Sequence, residues 1–227
     1  MRKMHFALAA AALLATAPAH AASFLNFTNG PDGNPPQGLL TIDFNSASGL
    51  GDIMGLSGNA QIVQGSVSGQ YAAPFGDGTK YLSVPKTGST GTATLDLTNY
   101  NFGGVVDGFS FYWGSIDKYN QLVVNSTLGG TAQSYTFQFD GSNPPPPANG
   151  AQQDGANNLR VFFGLAQGET LNSIQFVSTG IAFEVDDIIF TGSAVPEPAT
   201  WAMMIGGFGM IGGAMRRAKR RATPATA

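Results

Sequence analysis

Between residues 38 and 191 apolar and polar positions alternate in short runs, broken by Gly, Asn, Asp and Pro. In TATLDLT, Ala93, Leu95 and Leu97 alternate with Thr92, Thr94, Asp96 and Thr98. In SYTFQFD, Tyr135, Phe137 and Phe139 alternate with Ser134, Thr136, Gln138 and Asp140. A period of two places the apolar set on one face of a strand and the polar set on the other. Runs of this kind predict strands at 38–44, 60–67, 80–84, 92–98, 105–114, 119–125, 134–140, 159–163, 173–178 and 181–191. No helical stretch stands out among them. The expected fold class is all-β, an antiparallel two-sheet sandwich of jelly-roll-like form. Asn143–Gly155, with Pro144 to Pro147, reads as an exposed, stiff loop.

The two ends break this pattern. Arg2 and Lys3 precede an apolar run from Phe6 to Ala17, Pro18 ends it, and Ala19-His20-Ala21 places small residues at Ala19 and Ala21. That is the layout of a secretory signal peptide over 1–21, with cleavage after Ala21. At the other end Pro196 and Pro198 enforce an extended segment. From Trp201 to Met215 no residue is charged, and the basic cluster Arg216, Arg217, Lys219, Arg220 and Arg221 follows. A helix over those 15 residues would be about 22 Å long, short of the roughly 30 Å hydrocarbon core. It is read as a transmembrane helix that spans with Trp201 at one interface and the arginines snorkelling at the other. The basic end stays cytoplasmic and the body faces out. Gly209 and Gly213 add a GxxxG pair suited to a neighbouring membrane helix. The organisation is then a signal peptide (1–21), a sandwich domain (22–194), a sorting segment (195–221) and a disordered tail (222–227).

Removing both ends changes the chemistry available. His5 and His20 lie in the signal peptide, and the chain has no cysteine. The body therefore has no Ser-His-Asp triad, no Cys-His nucleophile, no histidine-ligated zinc or copper, and no disulfide. It keeps Lys80, Lys86, Lys118 and Arg160 against thirteen acidic residues, a formal charge of −9. Nucleic acid is excluded as a partner, because phosphate contacts need a positive surface. Hard cations such as calcium remain, because they take oxygen ligands.

Pro196-Glu197-Pro198, then Trp201-Ala202, an apolar run and an arginine cluster resemble the PEP-CTERM sorting domain in its PEPxxWA form. The resemblance implies recognition by an exosortase, a membrane-embedded transpeptidase-like enzyme of Gram-negative bacteria. It also implies removal of the tail near the Pro-Glu-Pro motif, passage through the inner membrane to the cell surface or matrix, and an association with exopolysaccharide and biofilm. More weakly, GDGTKYLSV (76–84), FYWGSIDKYN (111–120) and FEVDDIIF (183–190) resemble exported, exosortase-dependent surface proteins with β-sandwich domains.

Candidate sites in the body are few. Phe109, Phe111 and Trp113 share one face of a strand and Tyr112 takes the other. Large aromatics there belong to the core; as a binding surface, Tyr112, Trp113 and Tyr119 would form a saccharide platform, with Asn120 and Gln121 for hydroxyl groups. Asp186 and Asp187 are consecutive strand residues and are expected on opposite faces, so they are not an acid/base pair. Asp43 and Asp187 are the candidate calcium ligands joining the first strand to the last, with Asp77 or Asp117 as extras; a solvated acidic surface is the alternative. Glu169 and Glu184 are the only glutamates of the body. Two carboxylates are what glycosidase chemistry requires, but their spacing singles out no pair. The reading is an exported, non-enzymatic surface or matrix protein; the alternatives are a carbohydrate-binding module and a surface glycosidase.

Overall fold

The computed structural model describes residues 24–29, 37–139, 148–194 and 198–221. The signal-cleavage residues Ala19 and Ala21, the motif residues Pro196 and Glu197, and the 222–227 tail lie outside the described residues. Twelve strands and one long helix are described: β1 (Phe24–Asn29), β2 (Leu40–Ile42), β3 (Leu56–Gly58), β4 (Gln61–Gln64), β5 (Lys80–Val84), β6 (Gly91–Asp96), β7 (Gly104–Gly114), β8 (Asn120–Leu128), β9 (Thr131–Gln138), β10 (Leu159–Gly164), β11 (Glu169–Ser178), β12 (Phe183–Ala194) and α1 (Pro198–Arg221). They form two antiparallel sheets. One has seven strands in the order β1-β10-β7-β12-β5-β4, with β2 also on β12; the other has five, β3-β6-β11-β8-β9.

The period-two runs do what their pattern predicts. Ala93, Leu95 and Leu97 are buried while Asp96 and Thr98 are exposed. The two sheets face each other through aromatic contacts. Phe111 of β7 meets Phe176 of β11 edge-on with centroids 5.3 Å apart, and Phe163 of β10 meets Phe137 of β9 at 5.5 Å. Trp113 lies flat on Phe183 of the neighbouring β12 at 4.3 Å. Burying one such ring stabilises the fold by roughly 1.5–3 kcal/mol.

The outer face of the seven-stranded sheet departs from the pattern, because it is buried too. The connection from Gly65 to Thr79 folds back over β5, β7 and β12. Tyr112 donates its hydroxyl to Phe75 O (2.6 Å), Tyr81 donates to Gly65 O (2.5 Å), and Ala72 N donates to Glu184 Oε1 (3.0 Å). Gly114 sits so close under the Pro74 ring that a Cβ there would come within 2.9 Å of it. Polar residues on this face thus end under a lid of chain rather than in water.

Three sequence readings are corrected. Strands β1 and β3 were not expected; β3 is three residues long, too short to show a period. The predicted strand 60–67 stops at Gln64, and Val67 bridges Tyr71 around Gly69, whose φ of +71° suits glycine. The described end of the predicted 143–155 loop is not simply exposed: Ala148 is buried, as are Asn157 and Asn158 just beyond it. At the C-terminus α1 forms, but among the described residues no helix is long and apolar enough to cross a membrane. Five glycines thin its apolar run, and its last turns are basic.

Candidate functional site

Strands β7 and β12 set the axis of the sandwich. Ala194 pairs with Gly104 at one end and Glu184 pairs with Gly114 at the other, ten residues or about 33 Å away. The sorting segment leaves from the first end. The opposite end is built by the β4–β5, β7–β8, β9–β10 and β11–β12 connections. The segments 76–84, 111–120 and 183–190 occupy adjacent strands, since β12 pairs with both β5 and β7.

The distal end holds a cleft of about 210 Å³ with Glu184 and Asp117 in its wall. Glu184 is 2% exposed. Its Oε1 accepts the Ala72 N–H, and its Oε2 has no partner. Burial pushes its pKa up to about 8; the Ala72 bond opposes the shift and the Asp117 charge adds to it. Asp117 is also raised by burial, against the stabilising hydroxyl of Tyr119, which lies 2.6 Å from Asp117 Oδ2 and 2.6 Å from Ile181 O. Gly150 makes room for Asp117: a Cβ there would fall 2.6 Å from Oδ2, and its φ is +68°. Ser115, 4% exposed and at φ +40°, lines the same cleft with an unpartnered Oγ. Its backbone N–H donates to Asn158 Oδ1, which also accepts from Phe75 N, so one carboxamide ties β7 to the covering connection. Among the described residues no Lys, Arg or His lines this cleft.

Farther along the outer face a second acidic group forms around Arg160. Asp186 is 1% exposed, and burial followed by its hydrogen bond with Asp77 pushes its pKa up to about 10. The Thr79 hydroxyl lies 2.6 Å from Asp77 Oδ1 and 3.1 Å from Asp186 Oδ2. Asp187 is not on the opposite side as alternation required. A bulge at Asp187, with φ +46°, shifts the β12–β7 register, and both Asp186 and Asp187 act electrostatically on Arg160. Arg160 Nη1 donates to Ser110 Oγ (2.9 Å) and Asp187 O (3.2 Å), and Nη2 lies 4.0 Å from Asp187 Oδ2.

Of the candidate calcium ligands, Asp43 and Asp187 do come near each other, since the charges of Asp77 and Asp43 both act on Asp187, and Arg160 stands with them. Asp43 Oδ1 accepts the Asn45 N–H in a local turn, and Asp187 faces a guanidinium that supplies the positive charge. Among the described residues no group of three or more acidic side chains is arranged to hold a metal. The aromatic platform is corrected. Trp113 is fully buried against Phe183, Tyr112 is 1% exposed, and Tyr119 packs on Gly180 with its hydroxyl engaged. Sequence reasoning missed Ser115 and the cleft position of Glu184, and had Asp117 only as an extra acid for calcium. The signals present were a glutamate inside an apolar strand and a glycine-rich connection long enough to cover it. A cleft of about 410 Å³ at the tail-proximal end, beside the stacked Tyr100 and Phe102, was also not expected.

In the tail, α1 leaves Met203, Met204, Ile205, Phe208, Met210 and Ile211 exposed, and Arg216 and Arg217 are exposed beyond them. Residues 194–221 match the family model of the PEP-CTERM protein-sorting motif. The chain carries a PEP-CTERM sorting signal. The PEP-CTERM signal begins where β12 ends, and it implies export with transient membrane anchoring as an exosortase-dependent surface protein. No match was found among curated proteins. Among solved structures, the carbohydrate-binding module CsCBM6-3 from Clostridium stercorarium, in complex with cellobiose, is 15% identical over 68% of this chain and 94% of its own, with a TM-score of 0.34. TmCBM61 in complex with β-1,4-galactotriose is 13% identical over 67% and 99%, with a TM-score of 0.31. A family 11 carbohydrate-binding module from Clostridium thermocellum, in complex with a β-1,3-1,4-mixed-linked tetrasaccharide, is 12% identical over 78% and 99%, with a TM-score of 0.28. Similarity of this degree carries no argument about the ligand of the PEP-CTERM chain.

Proposed function

We propose that this is an exported, non-enzymatic surface or matrix protein, associated with exopolysaccharide and biofilm, whose PEP-CTERM tail holds it in the inner membrane until exosortase removes it. The observation that carries this reading is the tail itself: a proline segment directly after the last strand, then a helix with its apolar side chains exposed. A helix that shows apolar side chains to its surroundings and ends in arginines suits lipid rather than water. Its short apolar run suits a transient anchor more than a permanent span. The body's lack of His and Cys narrows its acid–base chemistry to carboxylates, and outside the distal cleft Asp43, Asp187 and Asp77 are engaged by a turn, by Arg160 and by Thr79.

Mass spectrometry of the mature protein from a host with exosortase should show a chain that starts at Ala22 and ends near the Pro-Glu-Pro motif. Replacing Pro196, Glu197 and Pro198 with alanine should leave the tail in place and the protein in the inner membrane. A triple variant processed like the parent would overturn the reading. Release of reducing ends from any polysaccharide would overturn the non-enzymatic part alone.

A further inference from the structure

We infer that the distal cleft between Glu184 and Asp117 binds the free ammonium group of an amino sugar, as found in a deacetylated polysaccharide. This rests on the proposed surface role for its choice of polymer, but the chemistry comes from the cleft. Glu184 Oε2 and Ser115 Oγ are buried polar atoms without partners in the same wall. Buried polar groups are almost always paired, and leaving them unpaired costs free energy that a ligand recovers. The Asp117 carboxylate stands with them, and among the described residues no basic side chain in the lining offsets either acid. The group that fits brings positive charge and several hydrogen-bond donors. An ammonium has three N–H donors, one each for Glu184 Oε2, Ser115 Oγ and Asp117.

Size and lining narrow the choice. A bare cation such as calcium is held mainly by carboxylate charge, and among the described residues the cleft brings two acidic side chains together and not three, whereas a cation with its own N–H donors also answers the unpartnered acceptors. Its 210 Å³ is about seven waters' worth of space, room for a small organic ring. The mouth carries Gln70, Gln152 and Tyr71, whose amides and phenol suit ring hydroxyls, and Ile181 is 43% exposed for a C–H face. A lysine side chain would instead call for an apolar channel along its stem. The position is also right, because the cleft lies at the end of the sandwich away from the tail, where a polymer outside the cell meets it.

An ammonium beside Glu184 favours its charged form, so on the acid side of neutrality, where the amino sugar is already an ammonium and Glu184 still holds its proton, binding releases that proton to the buffer. Among the described residues the other titratable groups facing Glu184 are Asp117, Tyr119, Tyr71 and Tyr81, and no basic residue of the lining competes.

The test is calorimetry on the full chain in detergent micelles, with oligomers of glucosamine and of N-acetylglucosamine at about pH 6, where the amine is already charged and Glu184 still holds its proton. The deacetylated oligomer should bind at least about tenfold more tightly, since acetylation removes the charge and two donors. Its heat should vary with the ionisation enthalpy of the buffer, reporting the proton. Glu184→Gln should keep the fold by circular dichroism, weaken binding about tenfold or more, and remove the buffer dependence. Thr170→Ala, at the opposite cleft, should bind like the parent. Equal binding of the two oligomers, no binding, tighter binding of a lysine peptide, or displacement by calcium alone would overturn the assignment. The acetylation comparison uses the unmutated chain, so it stands even where a variant fails to fold. Tail processing in the host is read separately. A failed titration with normal processing overturns the cleft assignment, and an unprocessed chain that binds the amine overturns the export reading.

Discussion

Glu184 and Asp186 are two buried acids on one strand, and both hold their protons into the neutral range. The folded pKa of Glu184 is about 8 against an ordinary 4.5, and that of Asp186 about 10 against 3.8. Both are raised, so the folded chain binds more protons than the unfolded chain above the ordinary values. Their contribution is fully present below the unfolded pKa and is lost as pH rises toward the folded one. The thermal midpoint should therefore fall between about pH 5 and pH 8, and Glu184→Gln, which cannot ionise, should flatten that fall. Parallel curves for parent and variant would mean that Glu184 titrates as an exposed acid does. The strand alone did not make this legible. A glutamate at an outward strand position reads as solvated, and only the Gly65–Thr79 connection, far away in sequence, takes the water from it.

Strand β12 shows how much of an element a sequence reveals. FEVDDIIF announces a strand, and Phe183 and Val185 take the inner face as alternation requires. Phe183→Ala should cost about 3–5 kcal/mol by urea unfolding, because it removes the ring under Trp113 and the contact with Phe176. The bulge at Asp187 was not legible, since nothing in Asp-Asp distinguishes a straight pair from a bulged one. A second register shift lies between Thr191 and Gly192. There φ is +154°, and a Cβ would come within 2.0 Å of Val105 O. Gly192→Ala should lower stability by about 2 kcal/mol or more in the same assay. A midpoint like the parent's would mean that the strand end can move away from β7. The strands with a clean period of two were all found. Those that were missed, β1 and β3, lack one: Phe24–Asn29 mixes apolar and polar residues on both faces, and β3 has three residues.

At the scale of the molecule, the class, the sandwich and the sorting signal were legible because each repeats a rule over many residues. The sites were not, because they form where distant connections meet. The calcium expectation shows the difference. Adding up charge leaves −9 and invites a cation, yet the fold places Arg160 among the acids of β12. Melting curves of the protein in calcium and in chelator should therefore superimpose, and a midpoint several degrees higher in calcium would restore a metal to the account. The same strand also sets how the molecule carries tension. Glu184 is the second residue of β12 and Ala194 its last, so the floor of the distal cleft and the root of the tail are ten covalent links apart on one chain segment. A pull between something gripped in that cleft and the membrane runs down this backbone as along a rope. The share of the pull taken by Ser115 and Asp117 enters β7, whose ladder to β12 runs from Gly114 to Gly104, so two paired strands carry the load along their length.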